Sequence, residues 1–121
     1  MVEVRALPGR ERLTIVFRGQ VVAAELAEAE RQLRGALPRL SPAFDMISDV
    51  SAAEPLEPEA VAAVTRMAQL VVVAGLRTHV RVVGRSSQAA LQFQRISRSV
   101  GYDSRLAFSF DEAESLLDPT A

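Results

Sequence analysis

The strongest constraint on the fold of this chain is a hydrophobic pattern whose period changes repeatedly between that of a strand and that of a helix. Val2 and Val4 alternate with charged residues, whereas Leu26, Ala29 and Leu33 recur at the spacing of one helix face. Strand-like and helix-like segments then alternate to the end of the chain. This alternation favours an α/β domain in which right-handed crossovers build a largely parallel sheet.

The pattern predicts five strands and four helices in a single domain that spans residues 1–121. We expect strands at Val2–Leu7, Leu13–Phe17, Phe44–Val50, Val80–Val83 and Leu106–Phe110, and helices at about Val22–Leu37, Glu59–Ala74 and Ser87–Val100 and from Asp111 onward. The short turn at Pro8–Glu11 predicts an antiparallel hairpin, in which Gly9 allows a positive φ. The fold class is therefore α/β, with a mixed, largely parallel sheet in the order β-β-α-β-α-β-α-β-α.

Composition excludes several kinds of site. The chain has no cysteine and one histidine, which rules out disulfides, a thiolate nucleophile and multi-histidine metal sites. A net charge of −1 supplies no basic field for nucleic acid. The longest apolar stretch, Leu70–Leu76, is too short to cross a bilayer, and the N-terminus has no signal-peptide pattern. We expect a cytoplasmic protein with no cofactor, no nucleic-acid partner and no membrane insertion.

Two segments point to a known family. Asp49-Val50-Ser51 ends the third predicted strand, and Phe108–Ala113 joins a closing strand to a helix that begins with acidic residues and alanine. Together with the order of the elements, these segments resemble the STAS domain, named for sulfate transporters and anti-sigma factor antagonists, over nearly the whole chain. The resemblance implies a STAS-like fold and a non-enzymatic regulatory module that acts by protein–protein contact.

One segment departs from that family. Antagonist members carry an Asp-Ser-Ser-Gly type sequence at the start of the helix after the third strand, where a partner kinase phosphorylates a serine. The matching stretch here, Glu54–Glu59, contains no hydroxyl residue, so we expect no phosphorylation switch at this position. Glu57 and Glu59 either hold negative charge there permanently or complement the helix dipole, and the second interpretation is favoured because acidic first turns are common.

Asp49 and Ser51 are candidate partner-binding residues. They lie at the carboxyl end of a central strand, where open α/β sheets gather their ligands. Asp49 would then orient a ligand or the backbone of a partner. The alternative, which we favour from the residues alone, is local capping by an Asx-type hydrogen bond.

The helix Glu59–Ala74 is apolar on two sides. The stripe predicted to face inward consists of Val61, Val64, Ala68 and Val71. The apolar residues predicted on the outer side are Ala62, Ala63, Leu70 and Val73. Only Arg66 and Gln69 interrupt the outer side. Such a helix is either doubly buried or faces a partner. We therefore predict a partner-binding or homodimer surface that includes Arg66, Leu70 and Val73, with burial of the segment Leu70–Leu76 under its neighbours as the alternative.

The turn Gly84-Arg85-Ser86-Ser87 is a candidate anion or ligand site, because it connects a strand to a helix N-terminus. Arg85, Ser86 and Ser87 would hold a phosphate or carboxylate. The alternative is that Ser86 only caps the helix while Arg85 is solvated. This turn, with the apolar helix tail, motivates a second functional hypothesis: binding of a small lipid or anionic ligand, as in some STAS proteins.

Catalysis has little support in the sequence. Asp49, Ser51 and His79 include the residue types of a catalytic triad, but the glycine pattern of a nucleophile elbow is missing. A lone histidine on a strand usually has a structural role or is exposed. We therefore expect no catalytic residues.

Overall fold

The computed structural model describes residues 1–84 and 86–118. Its strands are β1 (Val2–Leu7), β2 (Arg12–Gly19), β3 (Phe44–Ala53), β4 (Leu76–Val82) and β5 (Arg105–Ala107). Its helices are α1 (Ala23–Ala36), α2 (Pro58–Ala74), α3 (Ser87–Val100) and α4 (Phe110–Leu117), with short 3₁₀ turns at Pro8–Arg10 and Leu37–Arg39. Within these described ranges, no helix is both long and apolar enough to cross a membrane.

The strands form one sheet in the order β1-β2-β3-β4-β5. β1 and β2 are antiparallel, with Val2 opposite Phe17 and Leu7 opposite Arg12, and all the other neighbouring strands are parallel. The predicted mixed, largely parallel sheet is therefore confirmed. Because each crossover joins adjacent strands with the same hand, α1, α2 and α3 lie on one face.

Two cores result from this arrangement. The larger one lies between the sheet and α1–α3 and includes Leu13, Leu33 and Phe93. The smaller one lies on the opposite face, where α4 packs on the strands through Ile47, Val80, Val82, Ala107 and Ala113. α4 covers the β3–β5 half of that face.

The packing of α2 corrects the expected pattern of its faces. α2 contacts α1 on one flank and α3 on the other, so it is the central helix of a three-helix layer. Ala63, expected on the outer side, is buried, and Leu70 is half-buried against the core. A middle helix buries three sides, which makes double burial easy even in a small domain. Of the predicted outer side, Val73 is 87% exposed and Ala62 is also exposed.

Two strands differ from their predicted bounds. β3 continues to Ala53 because it pairs with the end of β2, so Ser51 lies in the strand and not in a loop. The last strand is shorter than predicted, since Phe108 is 75% exposed and Phe110 opens α4. Ser109 ends the extended segment by capping α4, where its side chain accepts a hydrogen bond from the Glu112 N–H.

The β1–β2 turn was predicted with the wrong residue in the left-handed region. Glu11 has φ 49°, whereas Gly9 has an ordinary negative φ in the short 3₁₀ turn. The N–H of Glu11 donates to the Pro8 carbonyl, which closes the turn. The antiparallel hairpin itself is confirmed.

Candidate functional site

Asp49 and Ser51 form a closed local pair at the end of β3. Oδ1 of Asp49 accepts hydrogen bonds from the Ser51 N–H at 3.0 Å and from the Ser51 hydroxyl at 2.6 Å. This is the local capping that the sequence analysis favoured. Both residues are half-buried, and they remain candidate partner-binding residues only through the atoms that this pair leaves free.

The connection from β3 to α2 is held in place by α3. The Leu56 N–H donates to Oε1 of Gln92 at 2.7 Å, and Nε2 of Gln92 donates back to the Leu56 carbonyl at 2.9 Å. The Leu56 side chain is buried in the larger core. The start of α2 therefore has a fixed position. Sequence reasoning missed Gln92, because nothing local distinguishes it from its exposed neighbours on α3.

A groove lies where this connection meets the one between β2 and α1. The Glu54 N–H donates to the Gly19 carbonyl at 3.1 Å, which joins the two connections. The groove has a volume of about 420 Å³ and is lined by Gln20, Val21, Val22, Ala23, Glu57, Glu59 and Ala60; we call it the α2 groove. Val22 is 51% exposed, and Glu57 and Glu59 are both exposed. The α2 groove therefore presents an apolar residue beside two carboxylates.

Glu57 is also the N-cap residue of α2, and Pro58 occupies the first helical position, where its missing N–H costs no hydrogen bond. The side chain of Glu57 makes no capping hydrogen bond. Both carboxylates at this end lie close to the positive end of the helix dipole, where a negative charge is stabilising for the helix. The α2 groove thus carries a negative charge that is present at neutral pH without any modification.

The other predicted partner residues on α2 do not join this groove. Arg66 forms an ion pair with Glu30 of α1, with Nε 3.4 Å from Oε1. Val73 lies 14 residues after Glu59, or about 21 Å along the helix at the standard rise. The structure therefore divides the predicted partner surface into the α2 groove and a separate patch at the far end of α2.

Of the predicted anion-binding turn, Arg85 lies outside the described residues. Ser86 is the N-cap of α3, and its side chain accepts from the Ala89 N–H at 3.0 Å. Gly84 packs directly against the end of β3, since a Cβ atom at this position would lie 2.7 Å from the Ser51 carbonyl oxygen. The Gly84–Ser87 turn and the Asp49–Ser51 pair, predicted as separate candidates, are therefore neighbours.

A buried polar chain crosses the sheet on the side that faces α2 and α3. Nε2 of His79 lies 2.6 Å from the Ser48 hydroxyl, and Nδ1 lies 2.6 Å from the Ser104 hydroxyl. Burial, together with the smaller effect of the charge of Arg81, lowers the pKa of His79 to about 3. The ring is therefore neutral at physiological pH, with one nitrogen donating and the other accepting.

Arg81 is the second polar residue that β4 places on this side. It is 2% exposed, and its Nη2 donates to the Ser97 hydroxyl. Burial lowers the pKa of Arg81 to about 10, so the guanidinium is still charged at neutral pH. Nε of Arg81 has no hydrogen-bond partner among the described residues. The burial of Arg81 could not be predicted from the sequence, because its partner, Ser97 on α3, lies 16 positions away along the chain.

These positions separate the members of the hypothetical triad. Neighbouring strand residues point to opposite faces, so Asp49 lies on the α4 side, whereas Ser48 and His79 face the three-helix layer. Both nitrogens of His79 already contact Ser48 and Ser104. The geometry does not assemble Asp49, Ser51 and His79 into a nucleophile–base pair.

Solved structures with this fold include an anti-sigma factor antagonist. SpoIIAA in its unphosphorylated form is 16% identical, with a TM-score of 0.67, and the match covers 100% of this chain and 99% of that one. The phosphorylated form of the Bacillus cell fate determinant SpoIIAA is 15% identical, with a TM-score of 0.66 and coverage of 98% and 100%. An uncharacterised Shewanella loihica protein with a SpoIIAA-like fold is 12% identical, with a TM-score of 0.70 and coverage of 98% and 93%.

No protein-family model matches the sequence, and no curated protein matches it either. The likeness is thus one of fold at low sequence identity. The chain has the SpoIIAA-like fold over its whole length, which confirms the STAS-like fold that the sequence resemblance implied.

Proposed function

We propose that this protein is a non-enzymatic regulatory module that binds another protein through the α2 groove, as an anti-sigma factor antagonist-like domain. Its fold is that of SpoIIAA, an anti-sigma factor antagonist. The observation that carries the proposal is the position of the exposed Val22 beside Glu57 and Glu59, on two connections that are held rigidly to the domain.

The chemistry of the α2 groove defines the partner surface that would fit it. Interfaces draw most of their binding energy from a few well-packed residues, and charges around them mainly set specificity and the association rate. Val22 supplies the apolar contact, and Glu57 and Glu59 supply the negative rim. The partner should therefore present an apolar side chain flanked by lysine or arginine.

The regulation of this contact would differ from that of SpoIIAA, which has been solved in both unphosphorylated and phosphorylated forms. Residues 54–59 contain no hydroxyl group to phosphorylate. The carboxylates of Glu57 and Glu59 give the start of α2 a permanent negative charge instead. Binding at the α2 groove would then follow the concentration of the partner and not the activity of a kinase.

Charge reversal at the groove tests this function. The wild type serves as bait in an extract of the source organism, and each retained protein is purified and its Kd measured by calorimetry. Glu57→Lys/Glu59→Lys should raise the Kd at least about tenfold, which is about 1.4 kcal/mol. The matched control, Glu3→Lys/Asp103→Lys, makes the same change in net charge at exposed positions outside the α2 groove and should leave the Kd unchanged.

Two results would contradict the proposal. One is a reconstituted partner that both double variants bind with wild-type affinity, because the contact would then lie elsewhere. The other is turnover of a small substrate by the purified protein, because the module would then be an enzyme.

A further inference from the structure

Arg81 is a buried cation without a counter-charge. No ion pair joins it to a carboxylate in residues 1–84 and 86–118, and its Nε lacks even a neutral acceptor there. The only hydrogen bond of its side chain in these ranges goes to Ser97, itself buried on α3. A buried charge that is left unpaired costs several kcal/mol, so the fold retains Arg81 at a cost that a bound anion would offset.

Arg81 also lines an open groove between α3 and β5. This groove has a volume of about 290 Å³, and its lining residues are Arg81, Val83, Gly84, Ser86, Ser87, Ala90, Leu91, Gln94 and Leu106. Ser86 and Ser87 form the N-terminal turn of α3, a 14-residue helix whose dipole favours negative charge at this end. The guanidinium of Arg81 and the helix N-terminus thus favour an anion at the same place.

Apart from Gln94, the remaining side chains that line the groove are apolar. Leu91 and Leu106 are 45% and 53% exposed, and Val83 and Ala90 also line the groove. Ligand sites combine apolar walls with a few convergent polar groups, and a volume near 300 Å³ is at the small end of their range. A second groove beside Arg81 contains both Arg98 and Asp103, whose opposite charges offset each other, and no residue of the α3 N-terminus lines it. The groove between α3 and β5 is therefore the better candidate.

We propose that the groove between α3 and β5 binds a small carboxylic acid, with its carboxylate on the Arg81 guanidinium and the α3 N-terminus and its apolar body along Leu91 and Leu106. A charge-assisted pair with Arg would give the ligand its orientation. The site lies at the opposite flank of the helical layer from the α2 groove and does not depend on the protein-binding function.

Titration with hexanoate, followed by NMR at the arginine Nε–H signals, tests this site. The Arg81 signal is assigned by its loss in Arg81→Lys. Hexanoate should shift this signal saturably, whereas hexanamide, which has the same body without the charge, should not. Acetate and inorganic phosphate should bind at least about tenfold more weakly than hexanoate, because they lack the apolar body.

Leu106→Glu provides the matched variant, because Leu106 is exposed and its replacement leaves the core intact. The new carboxylate should weaken hexanoate binding at least about tenfold, whereas Val73→Glu, at an exposed position on α2, should not change it. A failure of hexanoate to move the Arg81 signal would overturn the proposal. Equal binding of hexanamide, binding of phosphate as tight as that of hexanoate, or no effect of Leu106→Glu would do so too.

Discussion

His79 shows how one side chain can make the stability of this domain depend on pH. Its two ring nitrogens contact the hydroxyls of Ser48 and Ser104, and the ring of Tyr102 packs edge-on against it with centroids 5.4 Å apart. Arg81 is the charged group next to it. A second positive charge on His79 would therefore be buried beside an existing one.

We expect the free energy of unfolding to fall as the pH falls below 6.5. The pKa of His79 is about 3 in the folded state and close to 6.5 in the unfolded chain, so only the unfolded state takes up the proton between these values. The loss is up to about 1.4 kcal/mol per pH unit, and above pH 6.5 this residue contributes no pH dependence. Urea unfolding at several pH values between about 7 and 5 measures the slope.

His79→Gln is the control for this prediction, because glutamine is polar but does not titrate. The variant should be less stable than the wild type at neutral pH, and its stability should be nearly constant down to about pH 5. A wild-type slope that persists in His79→Gln would assign the pH dependence to other groups.

At the residue scale, the burial of His79 and Arg81 could not be predicted from the sequence, whereas local hydrogen bonds could. Capping by Ser86 and the local pair of Asp49 and Ser51 were predictable, because each involves residues within three positions of each other. The contact between Gln92 and Leu56 joins residues 36 positions apart, and no local pattern signals it.

Among the elements, those with local start and stop signals were the predictable ones. α2 begins at Pro58 and is followed by the left-handed Gly75. α3 is preceded by its Ser86 cap and followed by the left-handed Gly101. The start of β4 was missed because Arg77, Thr78 and His79 are polar. Arg77 forms a bidentate ion pair across the strands with Asp45, at 3.0 and 2.7 Å, so tertiary contacts allow a strand where composition predicts a loop.

α4 is attached to the sheet by a buried arginine as well as by its apolar face. Arg12 of β2 is 1% exposed, and its Nη2 donates to Oδ1 of Asp118 at 2.6 Å, just beyond the end of α4. Its Nη1 lies 3.8 Å from Glu114. Arg12 therefore depends on the last turn of α4 for its counter-charge.

We predict that Asp118→Asn loosens α4. The Asp118 side chain is 49% exposed, so solvent screens the pair and the expected loss of stability is modest, about 1 kcal/mol. In Asp118→Asn, hydrogen exchange at the backbone amides of α4 should be faster than in the wild type, and this increase should be larger than at amides elsewhere in the molecule. Asp103→Asn is the control, since Asp103 is 92% exposed and 3.9 Å from Arg98. Equal exchange rates in the two variants would contradict a specific role for Arg12.

For the whole molecule, the decisive feature is that three helices share one face of the sheet and α2 lies in the middle. A homodimer through α2 remains a prediction, but the exposed apolar residues at its far end are Val72 and Val73. Stable interfaces usually bury about 800 Å² on each partner, far more than two valines offer. This comparison argues against a homodimer through the far end of α2.

We expect Val73→Glu to leave both the solution mass and the stability unchanged, because Val73 is 87% exposed. Leu70→Glu should lower the stability by about 1–3 kcal/mol, since Leu70 packs against the core. Light scattering gives the mass, and urea unfolding gives the stability. A wild-type dimer that Val73→Glu converts to a folded monomer would place a homodimer interface at the end of α2.

The close approach of Gly84 to Ser51 has a consequence for how this sequence can vary. A Cβ atom at position 84 would lie within 3.0 Å of three atoms of Ser51, two of them backbone, whereas a Cβ atom at Gly9 would meet nothing within 4 Å. Two glycines that look alike in the sequence therefore differ in the substitutions that they tolerate: position 9 has room for a side chain, and position 84 does not. Any relative that carries a side chain at position 84 must also have moved the end of β3.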